Sequence, residues 1–375
     1  MSDDALLSAT AVAVPFADSA DSADSAVPAV AEKQATHGIA DQVVRWQASH
    51  GRHSLPWQNT RDPYRVWLSE IMLQQTQVSA VLEYFPRFLN RFPDVAALAA
   101  AHQDEVLALW AGLGYYSRAR NLHKCAQQVV ALHGGRFPGT AEALQTLPGI
   151  GRSTAAAIAS FCFGERAAIL DGNVKRVLTR ALGFDADLSV AANERRLWDL
   201  ATALLPHDDL AVAMPRYTQG LMDLGATVCL ARNPSCLLCP LRETCIGQRS
   251  GDPLRFPVKT RKLKRSAESW WLLWARDAQG RVWLERRPDA GVWAGLFCLP
   301  VFASREALGV AAQGDGVEDL PAFLHVLTHK DLYLHPVLVP WSEGAAPGAN
   351  GQWVEAARWP EFGLPAPVRK LLEAG

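Results

Sequence analysis

Four of the seven cysteines of this 375-residue chain stand close together, in the stretch CLARNPSCLLCPLRETC. Their spacing is C-x6-C-x2-C-x5-C, at Cys229, Cys236, Cys239 and Cys245. Four thiolates can bind either a zinc ion or a [4Fe–4S] cluster. Structural zinc usually takes two short knuckles, each with a C-x2–4-C pair, whereas this stretch has one such pair between longer arms. The spacing therefore favours one [4Fe–4S] cluster on the loop 229–245, with zinc as the alternative.

The chain begins with an Ala/Ser/Asp/Pro-rich segment, residues 1–36, that contains a DSA repeat. This composition cannot build an apolar core, so we expect a disordered tail. Its first charges are acidic, which is unlike a secretory signal, and the sequence contains no apolar run long enough to span a membrane. We therefore expect a cytoplasmic protein with reduced thiols, where clustered cysteines bind metal more often than they form disulfides.

The net charge neither supports nor excludes a nucleic-acid partner. The whole chain carries −1, but residues 1–36 hold six acids and one base, so the remainder carries +4. Phosphate binding depends on a local basic surface more than on the total charge.

Two architectures follow each other along the chain. Residues 37–250 show apolar residues at helical spacing with Pro and Gly between the runs, and residues 269–375 predict a smaller α+β domain. A basic, proline-containing stretch at 251–268 predicts an extended linker between them. The predicted helices are 66–85, 93–109, 117–133, 140–147, 152–163, 172–182, 192–205, 215–224 and 366–373; SWWLLWARDAQGRVWLERR predicts a β-hairpin and LYLHPVLV a strand.

The segment LPGIGRSTAAAIASF, residues 147–161, indicates two helices joined by a very tight turn. Gly149 and Gly151 permit the positive φ angles of such a turn. Backbone N–H groups there, at the start of the helix from Arg152, can bind a phosphate. The pattern predicts a helix-hairpin-helix that grips the DNA backbone, with an ordinary turn between helices as the alternative.

A second polar signal follows in ILDGNVKRVLTR, residues 169–180. Asp171 precedes a predicted helix, where capping is the ordinary role of an aspartate. The apolar run before it would also place this carboxylate in a fairly dry site. Lys175, Arg176 and Arg180 add cations on the helix.

The order of these motifs resembles the helix-hairpin-helix DNA glycosylase superfamily, in its iron–sulfur branch. Within it, WLSEIMLQQTQV, GLGYYSRARNL, LDGNVKRV and the C-terminal domain are similar to the A/G-specific adenine DNA glycosylases (MutY-type), over residues 42–375. The resemblance implies a mainly α catalytic region (a helix-hairpin-helix glycosylase with a [4Fe–4S] loop) plus a smaller α+β Nudix-like C-terminal domain. It also implies base excision repair of double-stranded DNA with 8-oxoguanine:A or G:A mispairs, and we expect a monomer.

The resemblance gives two carboxylates roles in cleaving the N-glycosidic bond of adenine, as in other glycoside cleavages. Glu70 would protonate N7 of adenine and later orient water. Its pKa would be raised by burial among Trp67, Ile71 and Met72. Asp171 would stay ionised beside the sugar, as an electrostatic stabiliser or a transient nucleophile.

One position separates the branches of the superfamily. Relatives with lyase activity, similar to endonuclease III, carry a Lys in the hairpin helix that attacks the sugar. The matching residue here is Ser153. Without that amine no Schiff base is expected, so the resemblance implies a monofunctional glycosylase.

The resemblance also implies a set of DNA-contacting and base-contacting residues. Gln75 and Tyr115 match the wedge that fills the space left by the extruded base, and Ser153 and Asn173 match the pocket around Asp171. The remaining candidates are Gly149 and Gly151 in the hairpin, Lys175 and Arg232 for the backbone, and Trp57 and Asp223 for adenine.

The C-terminal domain is similar to a Nudix-like domain that reads 8-oxoguanine. The Phe-Ser-His loop of the family appears here as Leu327-Thr328-His329, so a hydroxyl and an imidazole persist without the aromatic ring. A Nudix hydrolase needs a run of glutamates to bind Mg²⁺, and this sequence offers Arg305-Glu306 without further carboxylates. We therefore expect recognition without hydrolysis.

Three alternatives remain at this stage. An iron–sulfur glycosylase/lyase for oxidised pyrimidines is disfavoured by Ser153 and the extra domain. A non-catalytic iron–sulfur DNA-binding or redox-sensing protein would release no base from any mispair. A nucleotide pyrophosphohydrolase is disfavoured by the missing glutamates.

Overall fold

The computed structural model describes residues 29–260, 264–312, 316–342, 347–348 and 350–375. Most of the predicted tail, residues 1–28, lies outside the described residues, and residues 29–36 belong to the first helix rather than to a tail. The helical region comprises α1 (Ala29–His50), α2 (Pro63–Leu73), α3 (Val78–Arg91), α4 (Val95–Ala100), α5 (Gln103–Leu109), α6 (Ser117–His133), α7 (Ala141–Gln145), α8 (Arg152–Phe163), α9 (Gly172–Leu182), α10 (Ala191–Ala203), α11 (Leu210–Asp223) and α12 (Ile246–Arg249).

Two apolar cores form within this region, and α8 lies between them. Ala155 and Ile158 of α8 pack in the core that contains α2 to α6. Ala156 and Ala157 pack in the core that contains α1 and α9 to α11. Alanine side chains let helices approach closely, so the run AAAIA places α8 against both cores. The predicted bounds of α6, α8 and α9 are confirmed.

The prediction of one helix over residues 66–85 is wrong, because the chain breaks between α2 and α3. Gln75 at the break has a φ of 56°, a left-handed conformation that ends a helix. The carbonyls of Ile71 and Met72 are bound by the guanidinium of Arg118, at 2.8 Å each, instead of by the next helical turn. A residue distant in sequence therefore terminates α2.

Helix α11 begins at Leu210, earlier than the predicted start at Pro215. A proline inside a helix leaves the carbonyl four residues earlier without its N–H partner. Here that carbonyl belongs to Ala211, and Arg61 Nη2 donates to it at 2.9 Å. The single helix predicted over residues 93–109 is instead two helices, α4 and α5.

Within the described residues of the C-terminal domain, eight strands form one sheet. The predicted hairpin is confirmed, with Arg276 opposite Val282 in an antiparallel pair, and the predicted strand LYLHPVLV lies parallel to the first strand along its whole length. The predicted helix at 366–373 is also confirmed, as α13. The elements are β1 (Ser266–Asp277), β2 (Val282–Arg286), β3 (Phe297–Cys298), β4 (Val301–Phe302), β5 (Glu318–Asp319), β6 (Phe323–Val326), β7 (Lys330–Trp341), β8 (Gly351–Val354) and α13 (Ala366–Ala374).

The two regions share one continuous apolar core. The cluster around α2 to α6 continues into β1, β2 and α13. Polar contacts reinforce the junction, since Tyr116 Oη donates to Leu364 O at 2.8 Å and Arg120 Nη1 to Ala294 O at 2.6 Å. The C-terminal domain is thereby held against α5 and α6.

The first part of the predicted linker packs on the helical region. Phe256 is buried, Leu188 N donates to Val258 O at 3.0 Å, and Thr260 N donates to the Asp187 carboxylate at 3.2 Å. Residues 261–263 lie outside the described residues. The described part up to Thr260 thus belongs structurally to the helical region.

Candidate active site

A cavity of about 1220 Å³ opens between the two helical cores. Glu70 reaches it from α2 and Asp171 from the start of α9, so residues about one hundred positions apart in sequence line one cavity. Of the other predicted site residues, Trp57, Gln75, Ser153 and Asn173 also line it.

Glu70 sits in the last turns of α2, between the buried residues Ser69 and Ile71. The side chain faces the cavity but is otherwise enclosed by protein atoms. Burial, followed by the charge of Asp171, raises the pKa of Glu70 to about 8. Because desolvation disfavours the charged form of a carboxyl group, Glu70 holds its proton at neutral pH.

Asp171 has the opposite environment. It caps α9, with Oδ1 accepting from Asn173 N at 2.6 Å and from Val174 N at 3.0 Å. Backbone N–H groups at a helix start favour a negative charge. The ordinary capping role is therefore real, and the same residue also faces the cavity.

Hydrogen bonds hold the segment around Asp171 in place. Leu170 N donates to Ser153 Oγ at 3.0 Å, which ties the residue before Asp171 to α8. Next to Ser153, Thr154 Oγ1 accepts from Gln74 Nε2 at 3.2 Å. Asn173 Oδ1 accepts from Arg176 Nη2 at 2.9 Å. The polar side chains around the two carboxylates are thus mutually oriented.

Asp223, predicted as an adenine contact, does not line the cavity. Its side chain is 1% exposed, and its oxygens accept from Arg52 Nε at 2.7 Å, Arg52 N at 2.9 Å and Gln219 Nε2 at 2.8 Å. Asp223 instead orients Arg52, which does line the cavity. Trp57, 7% exposed, forms part of the wall and packs edge-on against Phe85.

The two predicted wedge residues both line a smaller cavity of about 260 Å³. Both have left-handed backbone, with φ of 56° at Gln75 and 48° at Tyr115. Tyr115 is 45% exposed. Its hydroxyl shares a hydrogen bond of 2.7 Å with the hydroxyl of Thr328, in the turn between β6 and β7. This bond joins the helical region to the C-terminal domain.

The predicted recognition turn has a mixed environment. Leu327 is half-buried and packs against the shared core, and Leu327 N donates to Lys330 O at 2.8 Å to close the turn. His329 is exposed. A leucine thus makes an apolar contact at the position where the family pattern has an aromatic ring.

The hairpin between α7 and α8 has only one left-handed glycine. Gly149 has a φ of 77°, and a Cβ at this position would meet Asn121 Cβ at 2.7 Å. Gly151 is extended and caps α8, and a Cβ there would point into open space. Gly149 therefore serves the turn, whereas Gly151 leaves the start of α8 accessible.

The four clustered cysteines follow α11 and are all free thiols. Burial raises the pKa of the Cys239 thiol to about 12, and the charges of Cys229, Cys245 and Cys236 raise it further. Among the described residues no group of three His, Cys, Asp or Glu side chains is placed to hold a single metal ion. The four thiols are not joined by disulfides, so all of them are available as metal ligands.

The cysteine loop is held by cations of α9. Arg180 Nη1 donates to Cys229 Sγ at 3.4 Å and to Leu230 O at 2.6 Å, and Arg176 Nε donates to Cys229 O at 2.8 Å. Lys175, predicted to contact DNA, forms an ion pair with Glu194 of α10. Arg232 is exposed at the surface of the loop.

Sequence reasoning missed the roles of three arginines that organise the site. Arg52 lines the cavity, Arg118 ends α2, and Arg180 holds the cysteine loop. The motif GLGYYSRARNL contains Arg118, but its partners come from α2, so no local pattern indicated its role.

Comparison with known proteins identifies the family. Residues 68–202 match the HhH-GPD superfamily of base excision DNA repair proteins, and residues 270–374 match the NUDIX domain. An adenine DNA glycosylase of Buchnera aphidicola subsp. Acyrthosiphon pisum is 36% identical over 340 residues, covering 88% of this chain and 95% of its own. The chain belongs to the adenine DNA glycosylase family.

Some other adenine DNA glycosylases match a shorter part of the chain. The human adenine DNA glycosylase is 43% identical over 229 residues, 58% of this chain and 40% of its own length. Among solved structures, a thermostable thymine-DNA glycosylase is 27% identical with a TM-score of 0.52, and the match covers 59% of this chain and 99% of that one. The predicted fold class, a helical glycosylase region plus a Nudix-like domain, is confirmed.

Among the described residues of this adenine DNA glycosylase family member, no helix is both long enough and apolar enough to cross a membrane.

Proposed function

We propose that this chain hydrolyses the N-glycosidic bond of adenine paired with 8-oxoguanine or G in duplex DNA, as a step of base excision repair. The observation that carries the proposal is the pair of carboxylates in opposite environments on one cavity. A glycosidic bond is cleaved by protonating the leaving group and stabilising positive charge on the sugar. A protonated Glu70 supplies the first requirement, and the Asp171 carboxylate on the same cavity supplies the second.

The adenine must leave the duplex before it can reach these groups, at a cost of a few kcal/mol. A cavity of about 1220 Å³ is large enough for an extruded nucleotide. Trp57 provides an apolar wall and Arg52 a cation in the same cavity. Gln75, which lines this cavity, and Tyr115, which lines the smaller cavity together with Gln75, would fill the space beside the opposite base, because such polar and aromatic groups can hydrogen-bond and stack there.

In the chemical step Glu70 donates its proton to N7 of adenine, which makes the base a neutral leaving group. Asp171 Oδ1 is engaged by the helix N–H groups, so Oδ2 is the oxygen that faces the electron-poor sugar. After adenine departs, the Glu70 carboxylate orients the attacking water. These steps form an abasic site.

No amine nucleophile is offered at the hairpin helix. Ser153 stands there, and its hydroxyl accepts the Leu170 N–H. A serine hydroxyl forms no Schiff base with the sugar. The proposed activity is therefore monofunctional, with no strand cleavage by lyase action.

A single-turnover excision assay tests the activity, with A placed opposite 8-oxoguanine, G or T in one duplex sequence. We expect adenine release opposite 8-oxoguanine and G, and strand breaks only after alkali treatment. Release of no base from any mispair would contradict the activity. Strand breaks in the alkali-free lane would contradict the monofunctional mechanism.

We propose that Thr328 and His329 read the base opposite the adenine. Thr328 is exposed and adjoins Tyr115, so its hydroxyl lies beside the wedge. The exposed imidazole of His329 is next to it in the same turn. Replacing Thr328 by Val should slow excision opposite 8-oxoguanine more than excision opposite G.

We further propose that Cys229, Cys236, Cys239 and Cys245 bind one [4Fe–4S] cluster that shapes the loop and presents Arg232 to the DNA backbone. A cluster supplies the cationic centre that keeps buried thiols ionised. Iron and sulfide analysis should find about four of each per chain. One zinc and no sulfide would overturn the assignment.

The loop's contact with DNA is tested with a matched pair of variants. Arg232→Ala should lower the slope of log K against log salt by about one, the loss of one phosphate contact. Arg242→Ala is the control, because Arg242 lies in the same loop and pairs with Glu243 at 3.6 Å. Equal salt slopes for both variants would exclude this role for Arg232.

A further inference from the structure

Arg118, in the first turn of α6, holds three separate segments together. Its exposed fraction is 8%. Nη1 donates to two carbonyls at the end of α2. Nη2 donates to the loop that follows α2 and to the loop that precedes α6. The acceptors are Ile71 O and Met72 O at 2.8 Å, Thr76 Oγ1 at 3.0 Å, and Leu113 O and Gly114 O at 3.2 Å.

The segments that Arg118 joins are the ones that carry the wedge. Gln75 lies between its acceptors Met72 and Thr76, and Tyr115 directly follows its acceptor Gly114. Both wedge residues have positive φ, a conformation that costs a non-glycine residue free energy and persists only where the surroundings enforce it. Arg118 supplies that enforcement for both loops at once.

The cation itself is bound by neutral groups. Its acceptors are carbonyl and hydroxyl oxygens, and the rings of Trp110 and Tyr115 lie 5.1 and 5.5 Å from its guanidinium carbon. Burial lowers the pKa of Arg118 to about 10, so it remains charged at neutral pH. Only a planar group with several donors can bind two helix-end carbonyls and two loops together.

Arg118 also connects the two ends of the proposed reading path. On one side, its acceptor Ile71 directly follows Glu70 in α2. On the other side, the Tyr115 ring that it contacts is hydrogen-bonded through its hydroxyl to Thr328. The contacts that lead from the Thr328 turn to the helix of Glu70 thus run through one tyrosine and one arginine.

We propose that Arg118 is a positioning residue that fixes the Gln75 and Tyr115 loops on the end of α2 and thereby couples the base opposite the adenine to the placement of Glu70. This inference rests on the proposed function and adds the physical link between recognition and catalysis. Such a link makes excision depend on the opposite base, beyond any difference in binding.

The test compares single-turnover excision of A opposite 8-oxoguanine and opposite G in Arg118→Lys. Lysine keeps the charge but cannot bind all three segments. We expect the ratio of the 8-oxoguanine:A rate to the G:A rate to fall at least about fivefold, because the Thr328 turn is proposed to act on 8-oxoguanine more than on G. Arg166→Lys is the control, because Arg166 also binds the carbonyls at a helix end, Leu205 O and Pro206 O, away from the cavity; its ratio should not change.

A double-mutant cycle separates coupling from a general loss of structure. Thr328→Val removes the other end of the link, so its effect on the ratio should shrink when Arg118 is already Lys. Independent, multiplicative effects would overturn the coupling. So would an equal fall of both rates in Arg118→Lys.

A milder variant keeps the inference testable if Arg118→Lys does not fold. Thr76→Val removes one acceptor of Arg118 and should lower the same ratio by a smaller factor; an unchanged ratio would overturn the role of Arg118. If the unaltered chain releases no adenine from either duplex, the proposed function itself fails, which is a different outcome from an unchanged ratio.

Discussion

The end of α2 and the start of α9 face each other across one cavity, and each contributes a carboxylate. Glu70 lies within a helix among buried neighbours, where burial raises its pKa to about 8. Asp171 precedes a helix and accepts two backbone N–H groups. The difference between them is one of backbone position, since a helix interior offers a carboxylate no donors and a helix start offers several.

The largest expected effect comes from removing either half of this pair. Glu70→Gln should lower the single-turnover excision rate by about 10²–10⁴-fold, the range for loss of a positioned acid, because the amide cannot donate a proton of comparable acidity. Asp171→Asn should cause a loss of similar size. Binding of the mispaired duplex, measured by fluorescence anisotropy, should be retained in both variants.

Glu83→Gln is the matched control for Glu70→Gln, because Glu83 is an exposed glutamate of the next helix, α3. It should leave the excision rate unchanged. If Glu70→Gln excised adenine at the wild-type rate, Glu70 would not be the proton donor, and the proposed division of roles between Glu70 and Asp171 would be wrong.

The same comparison predicts a pH-dependent difference in stability. The pKa of Glu70 is raised in the folded state, so the folded chain binds more protons than the unfolded chain between about pH 4.5 and 8, and stability from this group is lost as pH rises through that window. Glu70→Gln lacks this loss. Its advantage in the free energy of unfolding should grow by up to about 1.4 kcal/mol per pH unit through that window and then level off, measured by urea denaturation at several pH values.

A stability difference that stays constant from pH 4 to 9 would show that Glu70 has an ordinary pKa. In that case the contrast between the two carboxylates would rest on Asp171 alone.

The excision rate should follow the protonation of Glu70. Because the acid must hold its proton, the rate should fall above about pH 8 and approach a tenfold loss per pH unit. Single-turnover rates from pH 6 to 10 on one duplex would measure this. A rate that stays level through pH 9 would indicate that the proton comes from another group.

The smallest effect separates the two roles of Asp171. Asparagine caps a helix about as well as aspartate, whereas alanine does not. Asp171→Ala should therefore be about 1 kcal/mol less stable than Asp171→Asn, although both lose excision. Equal stability of the two variants would mean that the cap contributes little and that the charge is the sole role of Asp171.

Regions with local signals were predictable from the sequence. Helices α6, α8 and α9 end at glycines with positive φ, Gly134, Gly164 and Gly183, and their bounds agree with prediction. Cys125, Cys162 and Cys298, which are isolated from one another in the sequence, are buried core residues. Such features depend on residues within one or two turns of each other.

Contacts between distant segments were not predictable. Helix α2 ends before Gln75 because Arg118 binds its last carbonyls. Asp223 does not line the cavity because it is paired with Arg52. Lys175 is paired with Glu194. In each case the partner comes from another segment of the fold and not from the neighbouring sequence. A motif that marked Lys175 as a free cation carried no information about the helix facing it.

By itself the sequence determined the helices with their glycine ends, the order of the motifs and the residue types available for chemistry, because these follow from local conformational preference and short spacing. Only the tertiary structure decided which carboxylate keeps its proton and which cations stay unpaired. Protonation and pairing depend on desolvation and on neighbours in space, and packing α8 between two cores is what brings those neighbours together.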